Sequence, residues 1–345
     1  MIRPIQYLRG LAALMVVWHH SLNQVTGLSA FIHLREFGTS GVDLFFVISG
    51  FIMVVTTTEK PLTAGRFFAL RIVRVVPLYW LVTLLMVGCA IAAPHLLKTL
   101  QFTPEALAKS LLFIPYYSLS FPSYIWPLLV PGWTLDYEMF FYLLFAISLT
   151  IPATYRLGSL VATLIALVAA GYVAQPINPV AYVYTSPLLL EFGAGAVIGS
   201  LWMKRRLQIG LPASIAAMLA GASLLYLRGE FSGYSQMLGA ILMVIGCLQA
   251  TIPSPHDRLL LALGDASYSI YLTHLFALGG LRVVWMNLSS QPSPASAVAF
   301  MVVALVICAT AGWIWYRLIE RPLTSRLRWM LGRDRRRVPA GRNPA

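Results

Sequence analysis

Residues 8–21 read LRGLAALMVVWHHS, an apolar run closed by an arginine at one end and a histidine pair at the other. Eleven positions separate Arg9 from His20. At 100° per residue that is about 1100°, roughly 20° beyond three full turns, so the two side chains share one helical face about 16 Å apart along the axis. His19 points roughly 80° away from Arg9 on the same wheel. A helix so apolar, with a guanidinium and an imidazole on a single line, belongs inside a bundle. It is retained rather than cleaved as a leader, because it lacks a small-x-small site and contains the histidine pair.

The rest of the chain extends this reading. Of its 345 residues, 59% are hydrophobic and 11% charged, and its mean hydropathy is +0.76. A soluble domain carries about a quarter charged residues. A soluble enzyme, a disordered chain and a nucleic-acid-binding module are excluded on that ground, despite the net charge of +13. Apolar runs fall near residues 5–24, 41–58, 73–93, 133–151, 157–174, 183–203, 211–227, 233–251, 259–281 and 297–317. The expected fold is all-α, a polytopic membrane bundle of about ten spans, each needing roughly 20 residues. Residues 1–325 form this domain. The connection 94–132 is too aromatic for a free loop and reads as an interfacial or re-entrant segment over the bundle mouth.

Twenty of the 25 Lys and Arg residues fall on one side if the N-terminus is cytoplasmic. That split predicts an even number of spans with both termini in the cytoplasm, and it accounts for the basic charge as a topology signal facing anionic lipid. The segment 326–345, RLRWMLGRDRRRVPAGRNPA, reads as a basic cytoplasmic tail without a fold of its own. Cys89, Cys247 and Cys308 lie singly in apolar runs and suggest neither disulfides nor a metal site.

Ionisable groups are costly inside a membrane, so the few present are candidates for function. His20 suits proton transfer near neutral pH. GVDLFFVISGF, residues 41–51, puts Asp43 at the depth of His20, where a carboxylate would orient the imidazole. The alternative for Asp43 is a helix N-terminal acid meeting the macrodipole. PGWTLDYEMFFY, residues 131–142, places Glu138 roughly 7–8 Å below Trp133 and one turn above Tyr142. Asp136 and Glu138 are about 200° apart and face different neighbours. His20, Asp43 and Glu138 thus converge on the outer leaflet. GDASYSIYLTHLF, residues 264–276, carries Ser267, Tyr271 and His274 as a polar stripe, read either as site or as core hydrogen bonds. Glu191 and the pair Gly195 and Gly199 read as tight helix packing.

The inner side differs. In RFFALRIVRVVP, residues 66–77, Arg71 and Arg74 stand at i, i+3 on one helical face. Two guanidiniums so spaced can grip phosphates, or simply anchor the helix at the surface. Glu320, in IERP, is a plausible salt partner. A phosphate clamp inside and a histidine–carboxylate cluster outside call for a ligand with a polyanionic head and a long thin arm. Acyl-coenzyme A has that shape, with His20 as base and tyrosine or serine hydroxyls for the oxyanion. The competing reading is a proton-coupled transporter. It leaves the arginine pair without a role, and the chain lacks broken helices in two matching halves.

Arg9 with His20, GVDLFFVISGF, Arg71 with Arg74, WTLDYEMFFY, SYSIYLTH and IERP, in that order, resemble the acyltransferase 3 family of integral-membrane enzymes over nearly the whole chain. The resemblance implies O-acylation, most often O-acetylation, of cell-surface carbohydrate from cytoplasmic acyl-CoA. It implies a catalytic role for His20 and a donor-binding role for Arg9, Arg71 and Arg74; Glu138 and Asp43 are expected to assist His20 by their placement. His274, Tyr271 and Trp133 are then expected at the substrate. Acetyl-CoA is a co-substrate, and no tightly bound cofactor or metal is expected. The partners are acyl-CoA, a lipid-linked or exopolysaccharide glycan and the bilayer of a bacterial inner membrane, with no nucleic acid. Asp136 departs from the family pattern, which often has a small or apolar residue there.

Overall fold

A computed structural model describes residues 2–24, 37–97, 99–226, 232–249, 257–288 and 293–333. Among these residues the chain is entirely helical, with no strand. The helices are α1 (Arg3–Leu22), α2 (Gly41–Glu59), α3 (Ala64–Ala92), α4 (Pro104–Leu111), α5 (Trp133–Ser148), α6 (Ala153–Ala174) and α7 (Pro179–Tyr184). After them come α8 (Leu189–Met203), α9 (Leu211–Tyr226), α10 (Ser232–Gln249), α11 (Asp257–Leu288), α12 (Pro294–Trp315) and α13 (Arg321–Arg333).

Proline and hydroxyl or amide caps set many of the starts. Thr103 accepts the Ala106 N–H ahead of Pro104, Asn178 accepts the Val180 and Ala181 N–H groups around Pro179, and Ser293 accepts the Ser296 N–H beside Pro294. Each of the ten predicted apolar runs lies on a helix. The run 183–203 is interrupted between α7 and α8.

Among the described residues, six helical stretches are able to cross a membrane by length and composition. They are Gly38–Glu59, Ala64–Ala92, Ala153–Ala174, Pro179–Met203, Asp257–Leu288 and Ala295–Gly332. The apolar helices α9 and α10 are shorter, α1 is diluted by Arg9, His19 and His20, and α5 has only 16 residues and two carboxylates. The polar residues that mark a site are thus the ones that weaken the signal for a span.

Large apolar side chains stand exposed along α3 (Leu81, Leu84, Leu85), α6 (Ile165, Val173) and α12 (Val302, Val306), as on a surface that faces hydrocarbon. Inside, α1 packs on α11, α2 on α8, α9 on α10, and α11 on α12. The α2–α8 contact is closest at Gly50 and Gly195. A Cβ on Gly50 would meet the Phe192 carbonyl oxygen, and one on Gly195 the Val47 carbonyl oxygen, at about 2 Å each.

A single π-helical turn, Tyr316–Glu320, joins α12 to α13 and buries Glu320. The expectation of an unstructured tail from Arg326 is corrected over its first eight residues, which continue α13 to Arg333. Residues 334–345, and Arg35, Lys98 and Arg228, three of the five Lys and Arg residues that the topology reading leaves on the outer side, lie outside the described residues.

Candidate active site

Five helices, α1, α2, α3, α5 and α11, enclose a cavity of about 110 Å³. One set of lining residues is cationic: Arg9, Arg71 and Arg74. Each comes from a polar position in an otherwise apolar helix, and aromatic rings hold two of them in place. The Arg71 guanidinium lies 5.5 Å from the Phe67 ring centroid and 6.0 Å from that of Tyr142. That of Arg74 lies 5.6 Å from Tyr268. Arg74 also makes an ion pair with buried Glu320, whose second oxygen accepts from Ser269 Oγ at 2.6 Å. The predicted partnership of Glu320 with the arginine pair is thus present. Arg71 Nε is buried with no hydrogen-bond partner among the described residues.

Glu138 lines the same cavity. Its carboxylate accepts from Ser49 Oγ at 2.7 Å and from the Tyr142 hydroxyl. It lies in electrostatic reach of Arg9 and Arg71. This corrects its expected grouping with His20 and Asp43. Asp43, buried at the start of α2, is hydrogen-bonded to buried Glu191 of α8. The carboxylates divide because α5 turns Glu138 towards α1 and α3, whereas the tight α2–α8 contact gathers Asp43 and Glu191. Asp136, on the opposite face of α5 as its spacing requires, is buried near Tyr79 and Tyr116.

Tyr271 closes the cavity towards the histidines. It lines the wall beside Phe45, with ring centroids 5.7 Å apart. Its hydroxyl donates to the Pro131 carbonyl at 2.9 Å and bonds Thr134 Oγ1 at 2.9 Å. Beyond it, 6.2 Å ring to ring, lies His274, and the His274 ring is 5.0 Å from that of His20. His20 and His274 do not line the cavity themselves. Trp133 also stands off it, packed edge-on against Tyr137 at 5.8 Å.

Among the predicted residues, Arg9, Arg71, Arg74, Glu138 and Tyr271 therefore share one cavity, and His20 and His274 lie ring to ring beyond its Tyr271 wall. Asp43 and Trp133 do not line the cavity. The sequence reading did not single out Ser49 or Tyr268. Ser49 had a signal, being the one hydroxyl in GVDLFFVISGF. Arg328, assigned to the tail, lies on α13 within electrostatic reach of Arg71 and Arg74. Only the helical register of α13, invisible in a basic low-apolarity segment, reveals it.

The acyltransferase-domain family matches residues 3–313. The exopolysaccharide production protein ExoZ of Rhizobium meliloti is 41% identical over 315 residues, spanning 90% of this chain and 95% of ExoZ. The acyltransferase MdmB of Streptomyces mycarofaciens is 26% identical, over 92% of this chain and 87% of MdmB. No solved structure matches.

Proposed function

Starting from a chain that belongs to the acyltransferase 3 family and is an acyltransferase, we propose that it moves an acyl group, acetyl by preference, from cytoplasmic acyl-CoA to a glycan hydroxyl. The glycan is extracytoplasmic or lipid-linked, of the exopolysaccharide type. About ten spans hold the enzyme in a bacterial inner membrane with both termini in the cytoplasm. The observation that carries this reading is the arrangement of two clusters, three guanidiniums lining the cavity and two facing imidazoles past its Tyr271 wall. ExoZ, named for exopolysaccharide production, supports the choice of acceptor.

The donor's phosphates dock on Arg71, Arg74 and Arg9, where the unpartnered Arg71 Nε offers a hydrogen bond. A cavity of about 110 Å³ is smaller than the roughly 300–1,000 Å³ of a cleft for a whole drug-sized ligand, enough for the thioester end of a slim arm but not for a nucleotide. The head therefore stays at the mouth. The acyl end advances past Phe45 and Tyr271 to His20. His20 takes the proton of the acceptor hydroxyl while its oxygen attacks the thioester carbonyl, and the coenzyme leaves as thiol with that proton. The Tyr271 hydroxyl, turned from Pro131, is positioned to donate to the oxyanion. Glu138, fixed by Ser49 and Tyr142, balances the arginine charge when the donor is absent.

Membranes carrying the protein, given acyl-labelled acetyl-CoA and surface polysaccharide, are expected to transfer the label to the glycan as a base-labile ester. Polysaccharide mass unchanged between cells with and without the gene would overturn the choice of acceptor.

A further inference from the structure

His274 is fully buried, and its partners define its tautomer. Nδ1 lies 2.6 Å from the carbonyl oxygen of Tyr271. A carbonyl only accepts, so Nδ1 carries the hydrogen and the ring's lone pair is at Nε2. Cys308 Sγ of α12 donates to the main-chain oxygen of His274 at 3.8 Å, holding that turn of α11 from the other side. Nε2 is buried and has no hydrogen-bond partner among the described residues. A buried acceptor left unpaired is costly, which is why such groups usually find a donor.

The ring that faces it is His20. The centroids are 5.0 Å apart, with the planes tilted by 38°. An N–H···N bond of about 2.9 Å between two imidazoles puts their centroids roughly 5 Å apart, allowing about 1.1 Å from each centroid to its nitrogen. The bond is unmade with the rings as they stand, and the spacing already matches it. His20, at the end of α1, is partly exposed, whereas the His274 ring is held through Nδ1. The other ring against His20 is His19, edge-on at 4.9 Å.

We propose that His274 is a positioning residue for His20, its Nε2 accepting the N–H of His20 so that the other His20 nitrogen presents its lone pair to the acceptor hydroxyl. The inference rests on the reading of His20 as the base. In the transfer, His20 binds the hydroxyl proton at its free nitrogen and becomes imidazolium. The alkoxide oxygen forms the ester bond, the carbon–sulfur bond breaks, and the sulfur takes the proton back from His20. The N–H held by His274 is not exchanged at any step. A neutral acceptor here does the orienting that a carboxylate does in a Ser-His-Asp triad, without a second buried charge.

The test uses the full-length protein in proteoliposomes with acetyl-CoA and polysaccharide. His274→Ala and His274→Phe are expected to lower kcat by about ten- to 100-fold, a part of the 10²–10⁴ contributed by general-base catalysis. KM for the donor should stay at the wild-type value. His274→Gln, which returns an acceptor oxygen near the Nε2 position, should recover most of the loss. Full kcat in His274→Phe would reduce His274 to packing and overturn the proposal. His20→Ala is run alongside. Activity surviving in that variant would sink the base assignment instead, so the two failures are distinct. If the variants do not fold, ¹⁵N spectra of histidine-labelled wild type decide, with His20 signals assigned by their loss in His20→Asn. One His20 tautomer with a hydrogen-bonded N–H is expected, and an equal mixture of tautomers refutes the idea.

Discussion

At the scale of single residues, the site separates tasks that a sequence of motifs runs together. The two arginines on α3 are not equivalent. Arg74 is committed to Glu320, while Arg71 has a free buried donor. Arg71→Ala should raise the donor Kd about ten- to 100-fold, since a hydrogen bond to a charged group contributes roughly 1.5–3 kcal/mol, and should leave folding intact. Arg74→Ala should do this and also lower the Tm, because it strands Glu320, and breaking a buried pair costs about 3–5 kcal/mol. Titration of coenzyme A into purified protein, with a melting curve for each variant, separates the two effects. Equal Tm values for both variants would contradict the distinction. His20→Ala should abolish turnover and keep coenzyme A binding. The sequence disclosed these residues because each is an ionisable group in an apolar run. Beyond the partnership of Glu320 with the arginine pair, it did not disclose how they group. Asp43 and Glu138 look alike by depth, and only the direction of α5 and the α2–α8 contact sends one to Glu191 and the other to the arginines.

Elements set those directions through close contacts. The α2–α8 pair, which fixes Asp43 and Ser49, depends on backbone meeting backbone at Gly50 and Gly195. Any Cβ there strikes a carbonyl oxygen that cannot move alone, so the helices must part. Gly195→Ala is expected to destabilise by more than the roughly 1–3 kcal/mol of ordinary overpacking, seen as a large fall in Tm, whereas Gly158→Ala, with open space at its Cβ, should be neutral. The Gly195-x-x-x-Gly199 spacing announced this contact but not its partner. The α13 helix is the opposite case. Basic residues hid it, yet Arg66 Nη1 donates to the Leu331 carbonyl at 2.6 Å, tying it to α3 beside the arginine mouth. Ending the chain after Thr324 should raise the donor KM several-fold and leave kcat at saturating donor near wild type. An unchanged KM would show that the helix has no part in donor capture.

For the whole molecule, apolar runs located the described helices other than α4 and α13, because a chain of this composition has few other places to hide its backbone polar groups. Which helices reach both faces of the bilayer is a separate matter. The polar stripes of α1 and α5 line the interior, so hydropathy underrates them, and α9 and α10 are short. Orientation matters more than the count. The proposed donor requires the arginine mouth to face the coenzyme pool and the 94–132 connection the opposite side. The excess of Lys and Arg on the α13 side argues for this arrangement. It is tested with single cysteines in a Cys89→Ser background, where the two remaining native thiols are buried. Leu119 and Ser325 are both exposed, in the 94–132 connection and on α13 respectively. In intact cells a membrane-impermeant maleimide should label Leu119→Cys and spare Ser325→Cys, and permeabilisation should expose the second. The reverse pattern would put the guanidiniums on the side that has no coenzyme A, and the donor assignment would fall with it. Labelling of both sites in intact cells would show that 94–132 and α13 share one face, which requires an odd number of crossings between them to become even.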